Sequence, residues 1–256
     1  MYQEQGTCWL PNNIISMEYM PKLSFSDLKL ATNIQKSLAD LGYKTPTPIQ
    51  EKTIPLALAG HDILGIAQTG TGKTASFCLP IINHILEGSN NLSAYSPKAL
   101  ILTPTTELAI QIHKSYDGYS KNTQQKCTSI FGGVRQGRQV SALKSGIHTL
   151  VATPGRLLDL MEQNLLRLGN VEVFVLDEAD RMLDMGFMPA IKKVVGRLPK
   201  KRHNMFFSAT MPQQIQKLAQ TILHKPKKVE ITPQATTVKE IDQSLMYVEK
   251  AKKYHC

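Results

Sequence analysis

The chain has 256 residues and 42% of them are hydrophobic, which is enough for the core of one large domain and argues against a wholly disordered protein. Its 30 Lys and Arg and 20 Asp and Glu give a net charge of +10. This charge favours a polyanionic partner, with nucleic acid preferred over a membrane surface, but it fits a soluble basic protein without such a partner equally well. The scattered Cys8, Cys78, Cys127 and Cys256 argue against a disulfide scaffold or a zinc site and predict a reducing, cytoplasmic location.

Three segments with different patterns define the predicted domain organisation. Residues 1–22 have polar and proline breaks without a signal-peptide pattern and are predicted to be a loose leader. Residues 23–232 carry the regular pattern of one domain, and residues 233–256 are predicted to be a polar linker followed by a strand. No stretch approaches the ~18 consecutive apolar residues of a membrane span, so no membrane association is expected.

Short β-rich runs alternate with helical ones through residues 23–232. Strand–helix alternation with near-continuous apolar strands is typical of an α/β fold, with a mostly parallel sheet covered by helices on both faces. Ligands of such sheets bind at the carboxyl ends of the strands, so residues after each run are candidate site residues. The predicted strands lie in residues 61–67, 98–105, 127–133, 147–154, 171–177, 204–210 and 227–232, and helical periodicity marks residues 72–88 and 105–116.

A glycine-rich loop follows the first of these strands and precedes a helix. Its two glycines allow a tight turn with inward N–H groups, and the helix adds its positive end. In such a loop Lys73 reaches the β- and γ-phosphates of a nucleotide and the Thr74 hydroxyl holds Mg²⁺. The strict GxxxxGKT pattern departs at Ala67, which is small enough for the turn. The predicted loop is Ala67, Gln68, Thr69, Gly70, Thr71, Gly72, Lys73 and Thr74, against the alternative of a turn with a chance lysine.

Three carboxylates follow the apolar run that ends at residue 176. Burying unpaired carboxylates is costly, so a ligand is expected to compensate them. Asp177, at the end of its strand, is predicted to bind Mg²⁺ directly or in the second coordination sphere, and Glu178 to orient or deprotonate an attacking water. The alternative is an acidic helix N-terminus, which suits Asp180 but leaves Asp177 unexplained.

These strings resemble, in motif order, the DEAD-box RNA helicase family over about residues 23–232. The string DEAD stands at residues 177–180, and residues 181–187 resemble the bacterial branch. The resemblance implies a RecA-like P-loop domain that uses ATP and Mg²⁺ in unwinding RNA. It also implies that Ser208 and Thr210 bond to the DEAD segment and couple hydrolysis to RNA handling. The alternative for these two residues is a helix N-cap.

Residues 42–50 resemble the Q motif of this family. The resemblance implies that Gln50 reads the adenine edge and that the upstream aromatic residue, Phe25, packs on the base. The stretch Thr47–Gln50 also fits a capping box with proline at the first helical position, and both interpretations can hold together.

Three further strings match motifs that face RNA in the family. Small residues let the backbone donate N–H groups to phosphates, and Arg156 adds a forked donor. No aromatic platform accompanies them, which predicts binding to the RNA backbone with little base selectivity. Each of these motifs by itself could also be an ordinary turn. The resemblance also implies that the helix from Leu157 is a candidate for the wedge that bends one RNA strand. The predicted RNA-facing residues are Pro104, Thr105, Gly132, Gly133, Thr153, Pro154, Gly155 and Arg156.

Two departures from the family pattern set the remaining expectations. Thr106 stands where the family usually has Arg, which predicts weaker RNA binding. Residues 241–256 resemble the cut-off first strand of a second RecA-like domain, whose arginines are missing. An arginine finger contributes ~10³ or more in rate, so this chain, expected to be a monomer, should bind ATP and RNA but hydrolyse slowly. An ATP-gated RNA clamp and a P-loop ATPase acting on another substrate stay as alternatives.

Overall fold

The computed structural model describes residues 23–88 and 91–231. The predicted leader, residues 1–22, and the predicted linker and strand, residues 233–256, lie outside the described residues. The strands are β1 (Ile63–Ile66), β2 (Ala99–Leu102), β3 (Cys127–Ile130), β4 (Thr149–Ala152), β5 (Val173–Leu176), β6 (His203–Ser208) and β7 (Lys227–Glu230). They form one parallel sheet in the order β3-β4-β2-β5-β6-β1-β7. Each predicted run overlaps one of these strands, and the predicted α/β fold is confirmed.

Helices connect successive strands, as parallel pairing requires. A short 3₁₀ helix, Phe25–Asp27, precedes the first of them. The α-helices are α1 (Thr32–Asp40), α2 (Pro48–Leu58), α3 (Lys73–Glu87), α4 (Thr106–Tyr119), α5 (Gly137–Lys144), α6 (Pro154–Glu162), α7 (Ala179–Asp184), α8 (Met188–Val195) and α9 (Gln213–Ile222). Within the described ranges, no helix combines the length and apolarity that crossing a bilayer requires.

Two hydrophobic cores lie on opposite faces of the sheet. Side chains alternate between the faces along a strand, so Ala99 and Ile101 of β2 join the core that includes α1, α3 and α4. Leu100 and Leu102 join the core that includes α6, α8 and α9. Because both faces are buried, the strands read as continuous apolar runs rather than as alternating ones.

The register of the sheet brings the carboxyl ends of its strands into line. Ala152, Leu102 and Leu176 are direct partners across β4, β2 and β5. On the other side, Ile66 at the end of β1 pairs with Ser208 at the end of β6. The residues that follow these strands therefore lie along one edge.

Candidate functional site

The predicted site residues divide into two halves of this edge. The loops after β1, β5 and β6, which are neighbouring strands, contain residues 67–74, 177–180 and 208–210, here named the phosphate half. The loops after β2, β3 and β4, also neighbours, contain residues 104–106, 131–136 and 153–156, here named the helix-cap half.

The glycine-rich loop makes a left-handed turn at Gly72, whose φ is +94°. A Cβ atom there would lie 2.5 Å from Nε2 of Gln50, so glycine is required both by the dihedral angle and by the space. Gly72 is also the N-cap of α3. The free N–H groups at the start of that helix therefore border the loop, which is the arrangement that binds anions.

Lys73 is buried beneath this loop, with 6% of its surface exposed. Its ammonium group donates a hydrogen bond to the carbonyl oxygen of Ala67 at 3.0 Å. Ala67 is buried and packs with Ile49 and Val229. The departure from the strict loop pattern at Ala67 thus leaves the turn intact, because the methyl group fills a small apolar site beside it.

A cleft of about 330 Å³ opens beside the loop. Lys73, Thr74, Asp177 and Glu178 are among the residues that line it. The cleft continues past Gln50 to Tyr43 and along one side of α4, where it is lined by Leu108, Gln111, Ile112, Ser115 and Tyr119.

Asp177 is a buried carboxylate, 4% exposed, and Oδ1 accepts a hydrogen bond from the N–H of Glu178 at 3.1 Å. The pKa of Asp177 is raised from 3.8 to about 6, chiefly by burial; the positive charge of Lys73 opposes this rise and the carboxylate of Glu178 adds to it. The described residues place no ion-pair partner within 4.0 Å of Asp177. A cation bound in the cleft would compensate this charge.

Glu178 has a strained backbone, with φ +54° and ψ +50° at the N-cap of α7. A left-handed conformation is costly for a residue with a side chain and persists where the surroundings impose it. The side chain is 7% exposed, and Oε2 accepts a hydrogen bond from Nη1 of Arg181 at 3.3 Å. The strained turn places a second carboxylate in the cleft beside Asp177.

Hydrogen bonds join the DEAD segment to residues 208–210. Oδ2 of Asp180 accepts from the N–H of Thr210 at 2.8 Å and from its hydroxyl at 2.9 Å. The N–H of Asp180 donates to the Ser208 hydroxyl, which donates to the carbonyl oxygen of Thr210. Burial alone would raise the pKa of Asp180, but these hydrogen bonds hold it below its ordinary value. The helix-cap alternative for this string is wrong, since α9 has Pro212 at its N-cap.

Gln50 forms part of the predicted capping box and also contacts the glycine-rich loop. Its Oε1 accepts from the N–H of Thr47 at 2.9 Å, which forms one half of the capping box of α2. Its Nε2 donates to the carbonyl oxygen of Gly72 at 3.0 Å, which ties α2 to the phosphate loop. One N–H and one lone pair of the amide remain for a ligand.

The aromatic residues that line the cleft are Tyr43 and Tyr119, and Phe25 is not among the lining residues. Phe25 is 4% exposed and packs edge-on against Tyr43, with ring centroids 5.7 Å apart. Tyr43 packs likewise against Tyr119 of α4. Any contact between Phe25 and a bound base would therefore be transmitted through the ring of Tyr43.

The lining residues of α4 were missed by sequence reasoning. Leu108, Ile112, Ser115 and Tyr119 recur every three or four residues, and this spacing is read as the core face of an amphipathic helix. The spacing does place them on one face, but only the fold reveals that the face borders a cleft.

The metal-ligand atoms in the cleft suit Mg²⁺ bound together with a nucleotide better than they suit a metal ion whose ligands all come from the protein. Thr74 and Asp177 supply a hydroxyl and a carboxylate. In the parts of the chain that the structure describes, no group of three or more His, Cys, Asp or Glu side chains could hold a metal. Mg²⁺ typically takes one or two protein ligands and completes its shell with water and substrate phosphates.

The helix-cap half presents two helix N-termini and a glycine turn. Thr105 is the N-cap of α4 and its hydroxyl accepts from the N–H of Leu108. Thr153 is the N-cap of α6, with Pro154 as the first helical residue. Gly133 has φ +80° and is exposed. Free N–H groups and exposed glycine backbone suit phosphate oxygens as acceptors.

Arg156, which is predicted to face RNA, has protein partners in the free domain. Nη1 donates to the side-chain oxygen of Gln139 and Nη2 to the carbonyl oxygen of Val134, each at 3.1 Å. Nε lies 3.5 Å from a carboxylate oxygen of Asp159. The guanidinium of Arg156 thus holds the loop after β3 against α6. For the predicted contact with RNA, its N–H groups would have to bond to a phosphate as well as to these protein acceptors.

The parallel sheet and the phosphate loop define a RecA-like P-loop domain. The DEAD/DEAH box helicase family model matches residues 47–218, and the chain belongs to this family. It is 38% identical over 232 residues to the DEAD-box ATP-dependent RNA helicase CshA of Bacillus subtilis, covering 91% of this chain and 46% of that protein.

Two further comparisons agree with this assignment. The chain is 40% identical to the ATP-dependent RNA helicase DeaD of Haemophilus influenzae, with 91% of this chain and 37% of that protein covered. The crystal structure of a DEAD box protein from Methanococcus jannaschii superposes with a TM-score of 0.76 at 39% identity, covering 81% of this chain and 55% of that one. The chain therefore spans about half the length, or less, of these relatives, and bacterial proteins are among them, as the resemblance indicated.

Proposed function

We propose that this chain is the ATP-binding domain of an ATP-dependent RNA helicase. In this proposal Mg²⁺ and ATP bind the phosphate half, and the sugar–phosphate backbone of RNA lies on the helix-cap half. The observation that carries the proposal is the buried Asp177, whose pKa stays raised despite the nearby charge of Lys73, beside the N-terminus of α3. Buried charges without protein partners are typical of ligand sites. The names of the relatives support ATP and RNA as the ligands.

ATP would place its phosphates on the turn at Gly72. Lys73 would exchange the carbonyl oxygen of Ala67 for phosphate oxygens, and Thr74 and Asp177 would hold Mg²⁺, whose charge neutralises the phosphates. Glu178 would orient a water and accept its proton as the water oxygen attacks the γ-phosphorus. The bond from that phosphorus to the β–γ bridging oxygen then breaks, which gives ADP and phosphate. The bonds from Asp180 to Ser208 and Thr210 would carry the change to the RNA-handling parts.

The adenine base would lie at the other end of the cleft. The remaining N–H and lone pair of Gln50 match a base edge that offers one acceptor and one donor. The ring of Tyr43 offers an apolar surface for stacking, supported from behind by Phe25.

Full unwinding activity would need a second RecA-like domain and its arginines. We therefore expect this chain by itself to bind ATP and single-stranded RNA, with slow hydrolysis and no strand separation. We also propose a monomer in the cytoplasm, in keeping with the free thiols of Cys78 and Cys127. The ATP-gated clamp and the ATPase for another substrate gain no support from the relatives, which are named as RNA helicases.

Titration of the purified chain with a fluorescent ATP analogue in Mg²⁺ tests the proposal. Lys73→Met keeps the buried stem but removes the ammonium group, so we expect analogue binding to weaken by roughly 100-fold, the value of a hydrogen bond to a charged group. Lys36→Met, on the exposed face of α1, is the matched control. Equal analogue binding by Lys73→Met and wild type would overturn the proposed site.

A parallel titration with single-stranded RNA and DNA tests the other half. Binding of RNA through backbone contacts should be sensitive to salt and little affected by base sequence. If nucleotide binds and RNA does not, the domain is an ATPase for a different substrate.

A further inference from the structure

A cleft of about 690 Å³ lies between the carboxyl-terminal ends of α6 and α8. Helix α6 starts at the functional edge with Pro154, and the chain then returns to the amino end of β5 at Val173. Helix α8 ends at Val195 before the chain enters β6 at His203. Because helices between parallel strands run back to the opposite edge, this cleft lies away from both halves of the functional site.

Four cations border this cleft: Arg167, Lys192, Lys193 and Arg197. All four are exposed, and within the described residues none forms an ion pair or a side-chain hydrogen bond. Of the residues that line the cleft, Glu162 alone carries a carboxylate. The rim therefore has an excess of three positive charges that the described domain leaves uncompensated, which favours an acidic partner.

The floor of the same cleft is apolar. Leu158 and Met161 of α6 are only partly buried against the core, and Leu166 and Leu168 lie beside them. No aromatic side chain is among the lining residues, so the cleft lacks the stacking surface on which nucleic-acid bases usually bind. A cationic rim around an apolar floor matches a peptide with carboxylates on both sides of a large apolar side chain, whereas a phosphate backbone has no group for the floor.

We infer that this cleft between α6 and α8 is a docking site for an acidic peptide segment of a partner protein. An apolar side chain of the peptide contacts Leu158 and Met161, and flanking Asp or Glu residues pair with Lys192, Lys193 and Arg197. A partner bound here leaves the phosphate half and the helix-cap half open.

Fluorescence anisotropy of the whole chain with a labelled peptide of repeated Glu-Leu-Asp tests this inference. Replacing Lys192, Lys193 and Arg197 together by Gln removes three rim charges without reversing them, and we expect binding to weaken roughly tenfold. The control variant carries Lys36→Gln and Lys217→Gln, which remove exposed charges on α1 and α9, and should bind as wild type does.

The apolar floor has its own test. Met161→Gln conserves size and helix propensity, so we expect the fold to be kept and the Glu-Leu-Asp peptide to bind several-fold more weakly. A matched peptide with Ser in place of Leu should bind weakly to wild type and be unaffected by this variant.

Three results would overturn the inference. Equal binding of the Leu and Ser peptides would reduce the cleft to a surface for any polyanion. Loss of labelled oligouridylate binding in the Gln triple variant, with peptide binding unchanged, would assign the cleft to RNA. Absence of any difference between the triple variant and its control would remove the site.

Discussion

The two halves of the functional edge differ in how far protein contacts alone compensate their charged and polar groups. In the phosphate half, Asp177 is buried with its pKa raised to about 6, and Glu178 is held in a left-handed conformation. In the helix-cap half, Thr105 caps its own helix and the Arg156 fork has two protein acceptors. In the free domain the phosphate half thus keeps a buried charge and a strained residue, whereas these groups of the helix-cap half have protein hydrogen-bond partners.

This contrast teaches where the stability of the free domain is lost. Charge burial and backbone strain are concentrated where Mg²⁺ and ATP are proposed to bind, as expected for sites that exchange stability for function. The helix-cap half can offer N–H groups to phosphates without burying a charge or straining the backbone of the free domain. Removing the buried charge of the phosphate half should therefore raise stability and weaken ligand binding, whereas substitutions in the helix-cap half can change binding with little effect on stability.

The largest expected effect is a gain of stability in Asp177→Asn. Raising a pKa from 3.8 to about 6 corresponds to about 3 kcal/mol of destabilisation of the charged form, an upper limit for the gain. The folded state binds the proton of Asp177 more tightly than the unfolded state does. The destabilisation of wild type by the charged carboxylate is therefore complete above about pH 6 and absent below pH 3.8. Urea unfolding of both proteins at several pH values should show the gain shrinking through this window.

The exposed Asp184→Asn is the control for that experiment and should change stability by less than about 0.5 kcal/mol. If Asp177→Asn is no more stable than wild type at pH 8, the carboxylate is compensated in the free domain and the contrast between the halves fails.

A smaller effect, this time a loss of stability, is expected for Thr210→Val in the phosphate half. The substitution removes the hydroxyl bond to Asp180 and keeps the backbone one, so about 1 kcal/mol should be lost at neutral pH. Folding lowers the pKa of Asp180. Its charged carboxylate therefore stabilises the folded state above the pKa of the unfolded chain, and this stabilisation is lost as the pH falls through the pKa of the folded state. The deficit of Thr210→Val should therefore fade in acid.

Thr221→Val, which removes an exposed hydroxyl bonded to a carbonyl oxygen in α9, is the control for this pH dependence. A Thr210→Val deficit that stays constant down to low pH would show that the hydroxyl acts through packing rather than through Asp180.

The smallest effect concerns Thr106, the first residue of α4 in the helix-cap half. Thr106→Arg should tighten binding of single-stranded RNA and steepen the log-affinity against log-salt slope by about 0.7, one added phosphate contact. Stability should change little, since the position is half-exposed and the helix keeps its Thr105 cap. Thr106→Gln adds length without charge, and an equal slope for both variants would remove this residue from the RNA surface.

The sheet and the phosphate half were largely predictable because their signals are local. Apolar runs marked the strands, since each is buried on both faces. The glycines, Lys73, Thr74 and the acids at 177–180 follow strands whose order along the chain already implied one edge. The helix-cap role of Gln50 was likewise predictable from residues 47–50, whereas its contact with Gly72 was not.

The rest depends on contacts between distant segments, which a string does not reveal. Arg156 is matched to Gln139 and Val134 only after the loop folds over α6. Tyr43 replaces Phe25 as the lining ring because the two stack edge-on in the folded chain. The cationic cleft between α6 and α8 combines side chains from residues 158–168 and 192–197, of types that are individually typical of any solvated surface.

Calorimetric titration with ATP, in Mg²⁺ and then in excess chelator, tests the central claim that a cation bound with nucleotide compensates Asp177. For wild type we predict that Mg²⁺ tightens ATP binding at least roughly tenfold, and that Asp177→Asn loses this difference while remaining folded. Equal dependence on Mg²⁺ in wild type and Asp177→Asn would contradict the account.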